Sequence, residues 1–341
     1  MNELPTLSIR VDGSMLPAEC VELAKAAETA GLAGVWFAEN AFARGILPAA
    51  TACALATEKI RINAGVFNPF SRHPAMMAME IGPLDEISNG RASISIGAGI
   101  ASATARLGLS GDRPLPALRD TLAIVRGLLE GREVDYTGAV FSARKVKLDY
   151  QPRQNIPVYL AGRGNLTVKL AGAAADGLMI SNMCSVDFAG HSADLMRSSG
   201  RTAGRDTPGR AVQYMPCCTH PQSDEALKAA KRTVGEMLPR FWALGQRVGS
   251  AKEALLAGTK ISEADYADAS SRIRAGEDAA DVLDERHVTA FSLYGTPNEC
   301  LMLARKYRAA GIDELALTFS GSNAKDQIAA IGEALSRARS G

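Results

Sequence analysis

The chain has 341 residues, 47% of them apolar and 22% charged, with a net charge of +1. That is the make-up of a soluble globular protein with a sizeable core. Acidic and basic residues are interleaved, so no basic face or tail stands out for nucleic acid or an anionic membrane. No window approaches eighteen consecutive apolar residues, which argues against a transmembrane helix. The N-terminal "MNELPTLSIR" lacks a cationic segment followed by an apolar run, so no signal peptide is expected. Cys20, Cys53, Cys184, Cys217, Cys218 and Cys300 show no CxxC and no metal-like spacing. They read as reduced core residues of a cytoplasmic protein. Adjacent Cys217 and Cys218 would point to opposite faces of a strand.

In chain order, β-rich runs alternate with amphipathic helical patterns. "LSIRV", 7–11, precedes a helix from Pro17 to Ala30 with Gly31 as its stop. "GVWFAE", 34–39, precedes a helical stretch at 47–57, and "IRINAGV", 60–66, a helix from Pro74 to Ser88. "ASISIGAG", 92–99, is followed by a helix over 114–130. Residues 133–152 alternate and carry turn residues, so an insertion at about 131–152 reads as a hairpin. "PVYLAG", "GLMIS" and "RAVQYMPCC" then lead to helices at 165–175, 187–199 and 224–244. Residues 245–294 are helical in composition but fit no strand-and-helix unit, and read as a second insertion. "GTPNE" opens a helix in which Thr296 and Glu299 form a capping box, and "ELALTFS", 314–320, is an eighth strand before a last helix at 323–338.

Eight strands, nearly all followed by helices, predict one single-domain unit over 1–341, a (β/α)8 TIM barrel with two insertions. The competing doubly wound sheet needs a phosphate loop after the first strand, and "RVDGSMLP" has no GxGxxG. In a barrel the working residues sit at the carboxyl ends of strands. Those ends here are poor in nucleophiles and rich in glycines and amides: Glu39-Asn40, Phe67-Asn68, Gly97 to Gly99, Ala161 to Gly164, and Ser181-Asn182. There is no Ser-His-Asp grouping, no HExxH and no carboxylate cluster, which leaves metal hydrolysis and acyl transfer without support. A large planar cofactor suits such ends, because bare backbone can approach a ring closely. "AGRGN", 161–165, precedes a helix whose amides and dipole suit a phosphate. The same glycines read equally as tight turns.

The run "NPFSRHPAMMAMEIGPLDEISNGRASISIGAG", 68–99, resembles the third and fourth units of the bacterial-luciferase-like oxidoreductases, most of all their methylenetetrahydromethanopterin reductase branch. "LAKAAETAGLAGVWFAEN", "QNIPVYLAGRG", "LAGAAADGLMISN" and "AFSLYGTPNE" follow the family's order, so the resemblance covers essentially the whole chain. It implies a barrel binding FMN or coenzyme F420, with the tricyclic ring over the end of the third strand. A non-prolyl cis peptide is common there, and Gly65-Val66 holds that place beside Phe67 and Asn68. The phosphate side would be held by Gly162, Arg163, Gly164 and Asn165, with Gly177, Ser181 and Asn182 nearby. A small-molecule substrate, a flavin or deazaflavin reductase as partner, and a homodimer or homotetramer are further implications.

Two positions depart from that branch. Glu39-Asn40 stands where Asp-His is usual, and an asparagine cannot act as an acid or base. Ile100 stands where deazaflavin relatives commonly carry an acid. The expected activity is hydride transfer between the reduced cofactor and a small organic substrate, with Glu39 as proton handler and Asn40 beside it. A reduced-FMN monooxygenase and a cofactor-binding protein without catalysis are the alternatives. Arg72 and His73 read as anchors of the loop after the third strand, Arg72 pairing with a carboxylate such as Glu80 or Asp85. Phe67 is expected to line the pocket, and Tyr214 and Trp242 to face the substrate cavity.

Overall fold

Eight parallel strands close on themselves. The computed structural model describes residues 4–153, 155–321 and 323–340. β1 (Thr6–Asp12), β2 (Gly34–Ala38), β3 (Arg61–Phe67), β4 (Ala92–Ile96), β5 (Val158–Ala161), β6 (Gly177–Ile180), β7 (Arg210–Thr219) and β8 (Glu314–Phe319) pair in chain order. β8 returns to β1, with Thr6 opposite Glu314. The result is the expected (β/α)8 barrel, its helices packed outside against Leu7, Ile9, Ile62, Ile94 and Leu317.

The residues dictate this local order in familiar ways. Pro17, Pro74, Pro114 and Pro297 each sit at a helix start, where a missing N–H costs nothing. Thr296 and Glu299 form the predicted capping box. All six cysteines are free and buried, with Cys217 in the shell outside the barrel and Cys218 near Thr233 on the other face. Among the described residues no helix is long and apolar enough to cross a membrane.

Residues 134–146 form the antiparallel hairpin expected in the first insertion. The second contains the helices Gly249–Leu256, Glu263–Arg274, Ala279–Val282 and Glu285–Phe291, then a strand the periodicity did not reveal. That strand, Leu293–Gly295, pairs with Cys217 to Thr219, where the ten-residue β7 outruns its neighbour β8. Three residues are too few to carry a period-2 signal. The insertion has its own core, in which Trp242 stacks on Tyr266 with centroids 5.6 Å apart. Trp242 is therefore spent on packing and does not face a substrate cavity.

The floor of the barrel, at the amino ends of the strands, is polar. Glu314 is fully buried, and its Oε1 accepts from the Ser8 hydroxyl (2.6 Å) and the Trp36 indole N–H (2.8 Å). Its Oε2 accepts from Arg61 Nη2 at 2.7 Å and Arg210 Nη2 at 3.0 Å. One carboxylate thus joins β1, β2, β3, β7 and β8.

Removing one member of a buried, hydrogen-bonded ion cluster leaves the others desolvated and unpaired. Glu314→Leu should therefore lower unfolding free energy by about 3–5 kcal/mol, with Glu314→Gln costing less. Urea titrations followed by far-ultraviolet circular dichroism check this; a loss below about 1 kcal/mol would mean the cluster is no more than a surface-type pair.

Candidate functional site

The carboxyl ends of the strands surround a cavity of about 590 Å³, a size suited to a drug-sized or cofactor-sized ligand. Its wall includes Glu39, Asn40, Val66, Asn68, Arg72 and Gly99. A second cavity of about 330 Å³ adjoins it, sharing Ile100, Ser102 and Arg240 and adding Arg163 and Ser181. The two together run from the end of β2 to the end of β6.

At the end of β3 the backbone makes a bulge: register with β4 breaks between Ala64 and Phe67, and the Gly65–Val66 peptide is cis. Gly65 has φ of 150°, and a Cβ there would collide with the Ser95 carbonyl oxygen. A Cβ at Gly97 would run into Val66 and the Ala161 carbonyl oxygen. These two glycines are required by strand packing as such, without invoking an approaching ring. The bulge turns Val66 into the cavity and Phe67 away from it. Phe67 is fully buried among the residues that pack beneath the helices, so the expectation that it lines the pocket is corrected.

Phe67 still matters, as a seat. The Arg72 guanidinium lies 4.4 Å from the centre of its ring. From there Nη1 donates to both Glu39 oxygens at 3.0 Å, and Nε lies 3.0 Å from Glu80 Oε2. Arg72 thus bridges Glu80, one of its expected partners, and Glu39; the other suggested partner, Asp85, instead accepts from the Ala92 amide. All three side chains are largely buried, which makes the bridge worth more than a surface pair. Burial pushes the Glu80 carboxyl above the ordinary glutamate range; Arg72 opposes this and Glu39 adds to it. His73 caps the next helix, its Nδ1 accepting from the Ala75 amide at 3.2 Å, so it anchors the loop as expected.

Asn68 borders the cavity with both ends of its amide engaged. Oδ1 accepts from the Phe70 N–H and Nδ2 donates to Thr104 Oγ1, each at 3.0 Å. Thr104 belongs to a helix, Ala101–Arg106, that the sequence reading passed over. Six residues are little more than a turn and a half, and Asn68 supplies the tertiary tie that holds them. Asn40 is exposed on the wall, near Asp12. Burial works against the charge on Asp12, yet Ser14, Arg10 and Asn40 together hold its carboxyl below the usual range.

On the far side, Arg163 Nη2 donates to Ser181 Oγ at 2.9 Å and to the Asn182 carbonyl at 2.8 Å, while its guanidinium covers the Phe241 ring. Arg163 and Ser181 face the second cavity; Gly162 and Gly164 are half-buried beside them, and Asn165 is exposed at the start of its helix. Gly177 does not belong to this group. It opens β6, opposite Tyr159 and Arg210 at the floor end of the barrel, a strand's length from Ser181. Tyr214 is also corrected: it is buried inside the barrel beneath Arg10, whose guanidinium carbon lies 5.1 Å from the ring centre. Sequence reasoning missed the arginines of the mouth, Arg44, Arg106, Arg240 and Arg247. Nothing in the local pattern marks them, since packing of loops and of the helices Ala101–Arg106 and Ser223–Gly245 brings them to the rim.

The family profile described as "Luciferase-like monooxygenase" matches residues 7–314, and the chain belongs to that family of oxidoreductases. It is 28% identical, over 91% of its length and 92% of the other chain, to a 5,10-methylenetetrahydromethanopterin reductase of Archaeoglobus fulgidus. An F420-dependent glucose-6-phosphate dehydrogenase of Amycolatopsis mediterranei is 30% identical over 49% of this chain and 54% of its own. Among solved structures, the coenzyme F420 dependent tetrahydromethanopterin reductase of Methanopyrus kandleri superposes with a TM-score of 0.81 at 23% identity, covering 97% of this chain and 98% of that one. Family members use F420 or FMN.

Arg72→Met should cost about 1–3 kcal/mol by leaving two partly buried carboxylates unpaired, and Arg72→Lys should recover only part, because an ammonium cannot reproduce the planar fork. Chemical denaturation at pH 7 checks both. A carboxyl raised on folding contributes stability at low pH that is lost as pH rises through its folded value. Relative to Glu80→Gln, the wild type should therefore lose stability as pH climbs above 4.5, the ordinary glutamate value. Melting curves at pH 4, 5.5 and 7 (about evenly spaced for a carboxyl titration) check that; parallel curves for the two proteins would contradict it.

Proposed function

We propose that the protein is a reductase-type member of its family, transferring hydride between a reduced cofactor of the F420 type and a small organic acceptor. The observation that carries this reading is the Glu39 carboxylate, held at both oxygens by Arg72 and facing the cavity beside Val66. The likeness over nine-tenths of the chain to a reductase supports it. When bound, the cofactor's central ring supplies the hydride chemistry.

The protein supplies the rest. Val66 and the bulge behind it would back the ring, and Arg163 with Ser181 would meet its phosphate side. The combined cavities have room for a tricyclic group. Glu39, fixed by Arg72, takes or gives the proton that must accompany hydride transfer to an unsaturated carbon or imine. Asn40 orients the acceptor by hydrogen bonding and moves no proton itself. A reduced-FMN monooxygenase is the second reading, favoured by Ile100, an apolar side chain 44% exposed on the wall where deazaflavin relatives commonly place an acid.

Anaerobic stopped-flow absorbance, with reduced F420 and imine, enone or ketone acceptors, tests the first reading. Turnover without oxygen is expected, and Glu39→Gln should lower kcat about 10²–10⁴-fold while cofactor affinity, read by fluorescence quenching, stays within about threefold. Oxygen uptake with reduced FMN, and no anaerobic turnover, would transfer the assignment to the second reading.

A further inference from the structure

Six arginines line the two cavities of the mouth: Arg44, Arg72, Arg106, Arg163, Arg240 and Arg247. A single carboxylate, Glu39, stands among the lining residues, in a chain whose net charge is only +1. Four of the six have visible structural work. Arg72 bridges Glu39 and Glu80, and Arg44 Nη1 donates to the Gly13 and Ser14 carbonyls at 3.3 and 3.0 Å. Arg106 lies over the Phe42 ring at 4.3 Å, and Arg163 is bound to Ser181 and Asn182.

Arg240 and Arg247 are different. Among the described residues neither has an ion pair, a hydrogen-bond acceptor or an aromatic face. Both border the smaller cavity next to Arg163, and that cavity has no acid in its lining. An isolated surface arginine is ordinarily just solvated. Two unpaired guanidiniums beside a third in one recess repel each other, and a concave wall of one sign focuses the field on a bound anion. The planar fork of arginine suits phosphate and carboxylate oxygens in particular.

We infer that Arg240 and Arg247, with Arg163 behind them, form a subsite for a phosphate or carboxylate group carried by whatever ligand occupies the mouth. This rests on the proposal that the mouth binds a small molecule, and it adds the chemistry of that molecule's charged part. The anion comes from one of two sources, the charged tail of the cofactor or an anionic substrate, and the arms of the test separate them.

The first arm uses inorganic pyrophosphate and calorimetry on the full chain. Wild type should bind it with an affinity that falls as salt rises, and Arg240→Ala/Arg247→Ala should weaken binding about tenfold or more. The Lys/Lys double variant should recover only part of the lost affinity, because the charge remains but the planar fork does not. Both side chains are exposed, so an unchanged melting temperature shows that the Ala variant is folded. The second arm compares intact F420 and FMN with their phosphate-free ring forms. A loss in the Ala variant confined to the phosphate-bearing forms assigns the subsite to the cofactor tail. Unchanged cofactor binding with a raised KM for anionic acceptors only assigns it to the substrate. Pyrophosphate binding without any ring binding would sink the proposed activity and leave the subsite standing. If wild type and Ala variant match with every anionic ligand, or wild type binds none of them, the subsite is refuted.

Discussion

A carboxylate with no access to water sits where five strands converge, and the architecture is organised around keeping it satisfied. Glu314 begins β8, yet its partners come from β1, β2, β3 and β7, up to 306 residues away in sequence. A lone carboxylate in such a place would be intolerable. Two guanidiniums, an indole N–H and a hydroxyl fill its acceptor sites, which demands that the ring close in one register. Slipping any of those strands by a residue would point its donor away from the barrel interior.

The opposite rim repeats the theme with a looser grip. There the bulge at Gly65–Val66 breaks the alternation of β3, so Val66 turns to the cavity and Phe67 to the packing shell. Phe67 carries Arg72 on its face, and Arg72 holds Glu39. The side chain proposed to handle the proton is thus aimed by a chain of contacts starting from a backbone irregularity. At the floor, Glu314 is locked in by full burial; at the rim, both Arg72 and Glu39 remain partly hydrated.

Between these ends the barrel explains why its mouth is cationic without the protein being so. The excess arginine lies on loops and on the helices Ala101–Arg106 and Ser223–Gly245, elements that converge only over the rim. Elsewhere many charges pair across the surface, as with Arg232 and Asp278 or Arg197 and Asp313.

Much of this was legible in one dimension. Alternation in "LSIRV" and "ELALTFS", the proline starts at Pro17, Pro74 and Pro297, and the Thr296–Glu299 box all act between near neighbours, so the chain itself announces strand, helix and boundary. The family resemblance likewise located the cis peptide at Gly65-Val66. What tertiary structure alone decided were meetings between distant residues: Arg72 with both Glu39 and Glu80, Trp242 with Tyr266, Arg163 with Arg240 and Arg247 in one recess. It also decided orientation, sending Phe67 outward and leaving Gly177 at the floor. The reason is physical. Periodicity and capping depend on neighbours a few residues apart, whereas the direction of a side chain after a bulge, and its partner across a closed ring, exist only once the ring has closed.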